Sequence, residues 1–414
     1  MTEVSDFGAV VLVVATGFAL AIPAIALTRR LPVPTAAVFL VGAAIVSALW
    51  PRLHEAVPTK ALERVAIVAL IVILFNGGMD IGWRRLRASA GPILALGIGT
   101  TFATAGLTAL FAHVALGFGW TVSGLIGAAL APTDPAVMFS VLGESGLSGR
   151  VRTMLEGEAG VNDPAGVALM LGMIELAQDH GSAVVIAREF AVEMSVGAAI
   201  GFAGAFLIVR VLARLPLPRG DLQAVFALAL VGCLYGVTSL AHGSGLLAVF
   251  IAGLFLGDAR GPHQRPIELF HGSAATLAEI VVFVVLGLTE SITSLSGAAV
   301  LEGAALACML AVVIRPAAVF AVLAPVRMAR AERAFIALSG LKGAVPILLA
   351  AFALLAEVED AQRIYDIVFV VVVLSVTVQG TLLPFSGRAL GIQRADTDDS
   401  DPTLSPNFGS DQKV

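Results

Sequence analysis

In the run EGEAGVNDPAG, residues 156–166, three carboxylates (Glu156, Glu158 and Asp163) stand between apolar stretches that read as one helix. On insertion scales each costs about 2.5–3.5 kcal/mol at the centre of a membrane helix. A buried carboxylate must be neutralised, paired or solvated. Glu158 and Asn162, four apart, share a face, and Gly160 and Asp163 share another with Glu156. Glu158 and Asp163 lie about 140° apart on a helical wheel, so they need not do the same job. Pro164 follows Asp163 and frees a carbonyl one turn earlier. The obvious intramembrane cation is Arg315, in VVIRPAAV. Pairing Glu158 with Arg315 would leave Asp163 uncompensated, free to alternate between a proton and a metal cation. The competing reading makes all these charges a structural network.

Two further stretches place ionisable residues beside helix breakers. GLIGAALAPTDPAVMFSVLG flanks Thr133 and Asp134 with Pro132 and Pro135; ALSGLKGAVPILLAAF surrounds Lys342 with Gly340, Gly343 and Pro346. Proline removes a backbone donor and disrupts the preceding turn, which predicts unwound helices at both places. Exposed carbonyls and half-helix ends can then bind a cation, or balance charge, where water can reach. Paired interruptions in corresponding halves point to an inverted-repeat transporter with a midplane site.

The elements that must position these residues are membrane helices. Of 414 residues 58% are hydrophobic and 13% charged, with mean hydropathy +0.95; soluble domains carry about 25% charged residues. Apolar runs long enough for the hydrocarbon core number thirteen, at about 7–27, 33–49, 63–80, 91–116, 121–143, 153–176, 190–212, 222–241, 244–257, 274–292, 298–323, 334–356 and 364–386. The broken fifth and twelfth spans lie seven apart, in opposite orientation. The first run is read as a retained span, because no basic region precedes it. With the N-terminus outside and the C-terminus cytoplasmic, 18 of the 25 basic residues fall in inside loops or the tail and five outside. Arg315 and Lys342 are the two within spans. This asymmetry follows the positive-inside rule and argues for membrane topology rather than nucleic-acid binding. Residues 1–386 form the transmembrane domain, and the polar stretch 387–414 is expected to be a disordered cytoplasmic tail. Cys233 and Cys308 fall inside apolar runs and read as packing residues.

Taken together, APTDPAVMFSVL, EGEAGVNDPAGVAL, VVIRP and GLKGAVPILLA resemble the monovalent cation–proton antiporter family, in the branch with an Asn-Asp ion site. The similarity covers nearly all of residues 7–390 and is greatest to bacterial potassium/sodium–proton members. It implies an all-α membrane protein of inverted repeats. Two crossed discontinuous helices would sit in a mobile core, helices about 91–176 and 298–386, beside a dimerisation domain. It implies Asp163 as ion and proton carrier, Asn162 as its partner, Thr133 and Asp134 as oxygen donors at the crossing, Glu158 paired with Arg315, and Lys342 as the basic residue of the second break. It further implies a homodimer in the bacterial inner membrane that moves Na⁺, K⁺ and H⁺ and serves pH homeostasis.

Two departures bear on selectivity. Ala159 stands where the family often has Ser, and LFNGGMD offers Asn76 where an acid is common. Both make the site poorer in oxygen. Potassium-handling relatives often append a nucleotide-sensing domain, of which these residues show no counterpart. No Cys/His cluster, phosphate loop or nucleophile–base pair is apparent, so no enzyme, cofactor or resident metal is expected; the monovalent cation is cargo. A gated cation channel using the same carboxylates is the alternative, and an intramembrane hydrolase would need motifs not found here. His113, His242, Glu193, Glu279 and Glu302 read as interfacial or packed residues, and Glu175 as a candidate for an external funnel.

Overall fold

The computed structural model describes residues 19, 23, 34–50, 59–134, 137, 149–178, 183–215, 217–260, 264–289 and 295–392. Described residues that belong to elements are all helical. In chain order the helices are α1 (Thr35–Leu49), α2 (Thr59–Ile81), α3 (Trp83–Ala88), α4 (Ala90–Leu116), α5 (Trp120–Ala129), α6 (Gly149–Ala177) and α7 (Ala183–Arg214). There follow α8 (Gly220–Leu240), α9 (Gly245–Gly257), α10 (Gln264–Leu288), α11 (Gly297–Val322), α12 (Arg330–Leu338), α13 (Ala344–Leu355) and α14 (Ala361–Ala389). Helices dominate because a bilayer offers no partner to a backbone N–H or C=O, and an α-helix satisfies both internally.

Twelve of the thirteen expected spans have helical counterparts among the described residues; the run at 7–27, apart from residues 19 and 23, lies outside them. Seven helices have the length and hydropathy to cross a membrane. Helix α6 is also long enough, but its charges set it apart, and it is buried along most of its length. Several boundaries differ from expectation. Helix α10 begins at Gln264 rather than 274, α7 at Ala183 rather than 190, and α14 continues to Ala389, past the expected start of the tail. Beyond 392 the tail lies outside the described residues.

Two packing groups emerge. Helices α4, α5, α6, α11, α13 and α14 pack among themselves, as do α1, α2, α7, α8, α9 and α10. In the second group α9 is short, about 20 Å at 1.5 Å per residue, and almost wholly buried. It reaches α2 backbone to backbone: a methyl group on Gly253 would strike the Phe75 carbonyl, and one on Gly257 the Met79 carbonyl. Small residues four apart permit such approach where no hydrophobic force distinguishes protein from lipid. The groups meet where α6 packs on α7 and α13 packs on α2 and α10.

Candidate functional site

The two predicted breaks meet at the centre of the first packing group. Helix α5 ends at Ala129, and residues 130–134 run on without helical structure; α12 ends at Leu338, and 339–343 separate it from α13. The breaks are joined directly, since the Asp134 amide donates to the Leu341 carbonyl at 2.8 Å.

Each break carries the charge that the other's half-helix lacks. Lys342 Nζ donates to the carbonyls of Ala131 (3.0 Å) and Pro132 (2.9 Å), just past the C-terminal end of α5. Asp134 Oδ2 accepts the Ala344 amide at 3.3 Å, at the N-terminal end of α13. Helix C-termini favour cations and N-termini anions, because the terminal carbonyls and amides have no intrahelical partner. A lysine and an aspartate thus exchange ends across the crossing.

Helix α6 lies against this crossing. Asn162 Nδ2 donates to Thr133 Oγ1 at 2.8 Å, tying α6 to the first break. Asn162 and Asp163 are 1% and 5% exposed, and the Oδ1 atom of each finds no hydrogen-bond donor among the described residues. Two buried acceptors without a donor are costly for a protein to keep. Asp134, a like charge, and Lys342, an opposite one, are the charged groups that act on Asp163.

Glu158 is handled differently. Arg315 Nη2 lies 2.6 Å from Glu158 Oε1, and both side chains are buried. The contact is ionic rather than an aligned hydrogen bond. Thr100 sits between them: its hydroxyl accepts from Arg315 Nη1 at 3.1 Å and has Glu158 Oε1 at 3.3 Å and the Leu96 carbonyl in reach for its single proton. Glu156, two residues earlier, bonds Arg152 at 2.7 Å instead.

The structure therefore brings Thr133, Asp134, Asn162, Asp163 and Lys342 together, with Glu158–Arg315 as an adjoining pair. Thr100, Ser375 and Gln379 were not singled out from the sequence. Ser375 Oγ accepts the Lys342 amide at 2.8 Å and donates to Gln379 Oε1 at 3.0 Å, while Gln379 Nε2 donates to the Leu338 carbonyl at the end of α12. π-Helical turns lie at Ala95–Thr100, Leu310–Ile314 and Ser375–Gln379, so Thr100, Arg315 and Ser375 each sit within or beside one. Such turns re-aim a side chain by widening the helix and often occur at functional sites. Their sequence signal is weak, a polar residue within an apolar run.

A cavity of about 980 Å³ opens between the ends of α6 and α13 and the starts of α2, α7 and α9. Its wall includes Glu175, Glu193, His242 and Pro164, the neighbour of Asp163. Of the other residues weighed from the sequence, His113 stacks on Trp120 at 4.0 Å and Glu302 pairs with Arg363. On α2, Asn76 donates to Asp80 one turn on, at 3.0 Å.

Comparison with known proteins gives a consistent picture. The family profile described as "Sodium/hydrogen exchanger, transmembrane" matches residues 10–388. The chain is 34% identical over 348 residues to the K(+)/H(+) antiporter NhaP of Alkalimonas amylolytica, covering 82% of this chain and 59% of that one. It is 32% identical over 335 residues to the K(+)/H(+) antiporter NhaP2 of Shewanella oneidensis, covering 80% and 58%. The chain thus spans under two thirds of the length of these relatives. Among solved structures, the sodium proton antiporter MjNhaP1 from Methanocaldococcus jannaschii superposes with a TM-score of 0.77 at 21% identity, over 94% of this chain and 98% of that one. That likeness establishes the fold.

Proposed function

The chain belongs to the sodium/hydrogen exchanger family, and we propose that it exchanges a monovalent cation for a proton by alternating access, with Asp163 holding one or the other. One observation carries this reading: Asn162 Oδ1 and Asp163 Oδ1 are buried acceptors with no donor among the described residues, beside a break lined by Thr133 and Asp134. A proton on Asp163 supplies the missing donor. A desolvated Na⁺ or K⁺ supplies the missing charge and accepts hard oxygen ligands. One carboxylate cannot hold both, so the ions compete and exchange is obligatory. The Glu158–Arg315 pair and the Lys342 bonds to carbonyls leave Asp163 as the group that changes charge, which makes exchange one-for-one and electroneutral.

Support for the moving parts comes from packing. We read helices 91–176 and 298–386 as the mobile core and the group around α2, α7, α9 and α10 as a scaffold that pairs in a homodimer. The cavity bordered by Pro164 lies between them. The excess of Arg and Lys in alternate loops supports an N-terminus outside and a C-terminus in the cytoplasm of a bacterial inner membrane. Relatives named K(+)/H(+) antiporters, together with Ala159 and Asn76 in place of further oxygen ligands, support K⁺ as a transported ion. The test is flux in sealed proteoliposomes. Cation-driven proton movement without net current supports exchange. Conductance without coupled proton movement would overturn it.

A further inference from the structure

A second cavity, of about 410 Å³, lies between the two packing groups, with α4 and α6 on one wall and α7 and α9 on the other. Met194, Ala198 and Phe202 line it at four-residue spacing, so it follows one face of α7 for about 12 Å. Of the described residues that line it, only Ser195 and the Trp83 indole bring a side-chain nitrogen or oxygen. Leu94 and Phe202, on its two walls, are 51% and 40% exposed, so the slot reaches the outer surface. Water finds too few hydrogen-bond partners in such a slot. A hydrocarbon chain needs none.

Helix α3 contributes Trp83 and Leu86 to the lining. It lies between α2 and α4, both of membrane-crossing length, which places it at a membrane surface where the chain passes from one packing group to the other. Trp83 stacks on Phe255 at 5.2 Å and meets the Phe202 ring edge-on at 5.4 Å. Asp258 Oδ2 accepts the Arg84 amide at 2.7 Å, so that carboxylate is occupied by the backbone of α3. Trp83, Leu86 and Arg87 fall within about 100° of a helical wheel, which sets Arg87 on the slot side. Arg84 and Arg87 are exposed, and neither forms an ion pair among the described residues. Tryptophan and basic residues at a membrane surface mark the headgroup level, and basic residues beside a groove between membrane helices attract anionic headgroups. We propose that the slot holds an acyl chain of an anionic phospholipid whose headgroup is bound by Arg84 and Arg87. The lipid then touches both packing groups at once. The site requires only that the chain lie in a bilayer, and so stands or falls apart from the exchange reading.

The experiment follows the melting temperature of the full chain in detergent as phosphatidylglycerol, phosphatidylcholine or inorganic phosphate is titrated in. Wild type is compared with Arg84→Gln/Arg87→Gln, with Ser195→Phe, which sets an aromatic ring in the slot, and with Arg388→Gln at the end of α14. Phosphatidylglycerol should raise the wild-type melting temperature by a few degrees, phosphatidylcholine less and inorganic phosphate not at all. The double variant should need roughly 30-fold more phosphatidylglycerol for the same rise. Ser195→Phe should lose most of the response, and Arg388→Gln should keep it. Equal responses to the two lipids, a rise with inorganic phosphate alone, a double variant matching wild type, or an equal loss in Arg388→Gln would overturn the proposal. An unchanged lipid response in Ser195→Phe would overturn it as well, and dissociation of an oligomer in that variant would show a second copy to be what covers the slot. If the double or the Phe variant does not yield folded protein, Arg87→Gln decides it, since a response equal to wild type would then overturn the proposal.

Discussion

Gly343 lies so close to Asp134 that a methyl group on its Cα would overlap the Asp134 carboxylate. The glycine is required for room at this contact. Asp134 uses that room to reach the first amide of α13 while its own amide bonds Leu341. Gly343→Ala must therefore push the carboxylate aside or part the two breaks. Overpacking of this kind costs about 1–3 kcal/mol. Cation-driven proton flux should fall at least ~10-fold, because Asp134 leaves the crossing. Flux near wild type, with protein of normal yield, would mean the position of Asp134 is immaterial.

Arg315 is expected to act through stability. Removing it leaves Glu158 buried with only the Thr100 hydroxyl near it. Breaking a buried pair from one side costs about 3–5 kcal/mol, more than the intact pair contributes. Arg315→Ala should lower the melting temperature in detergent, and Arg315→Ala combined with Glu158→Gln should recover part of the loss. An unchanged melting temperature with only a displaced pH profile would refute the pairing argument.

Ion choice depends on ligand number, cavity size and the cost of dehydration. Ala159 and Asn76, in place of the family's Ser and acid, are expected to weaken the oxygen field, which favours the more easily dehydrated K⁺. Proton flux titrated with KCl, NaCl and LiCl across a pH series should show K⁺ transport or little discrimination, and Ala159→Ser should shift the balance towards Na⁺. Strong activity with Na⁺ or Li⁺ and none with K⁺ would contradict the first expectation. An unshifted balance in the variant would exclude that side chain as a ligand.

Much of the site is legible in the sequence for one physical reason: an ionisable residue inside an apolar run is conspicuous because it is expensive. That made Asp163, Glu158, Arg315, Asp134 and Lys342 visible, and Pro132, Gly340 and Gly343 marked where the helices break. Thr100, Ser375 and Gln379 were not visible, because hydroxyls and amides are inexpensive in membrane helices and the π-turns that aim them leave no strong pattern. The carbonyls of Ala131 and Pro132, which hold Lys342, belong to backbone that side-chain reading passes over. One boundary was not legible: a span read as starting at 274 puts Glu279 near an end, whereas α10 begins at Gln264 and runs to Leu288.

The central claim is that one carboxylate, Asp163, takes either ion. The most direct measurement is cation-driven proton flux by Asp163→Asn beside wild type in the same proteoliposomes, with the half-saturating cation concentration recorded against pH. An amide can carry neither a titrating proton nor a full countercharge. Wild type should need more cation as the pH falls, because protons compete for the same group, and Asp163→Asn should insert and fold but show no coupled flux. Exchange near the wild-type rate in Asp163→Asn, or a wild-type half-saturation indifferent to pH, would contradict the account.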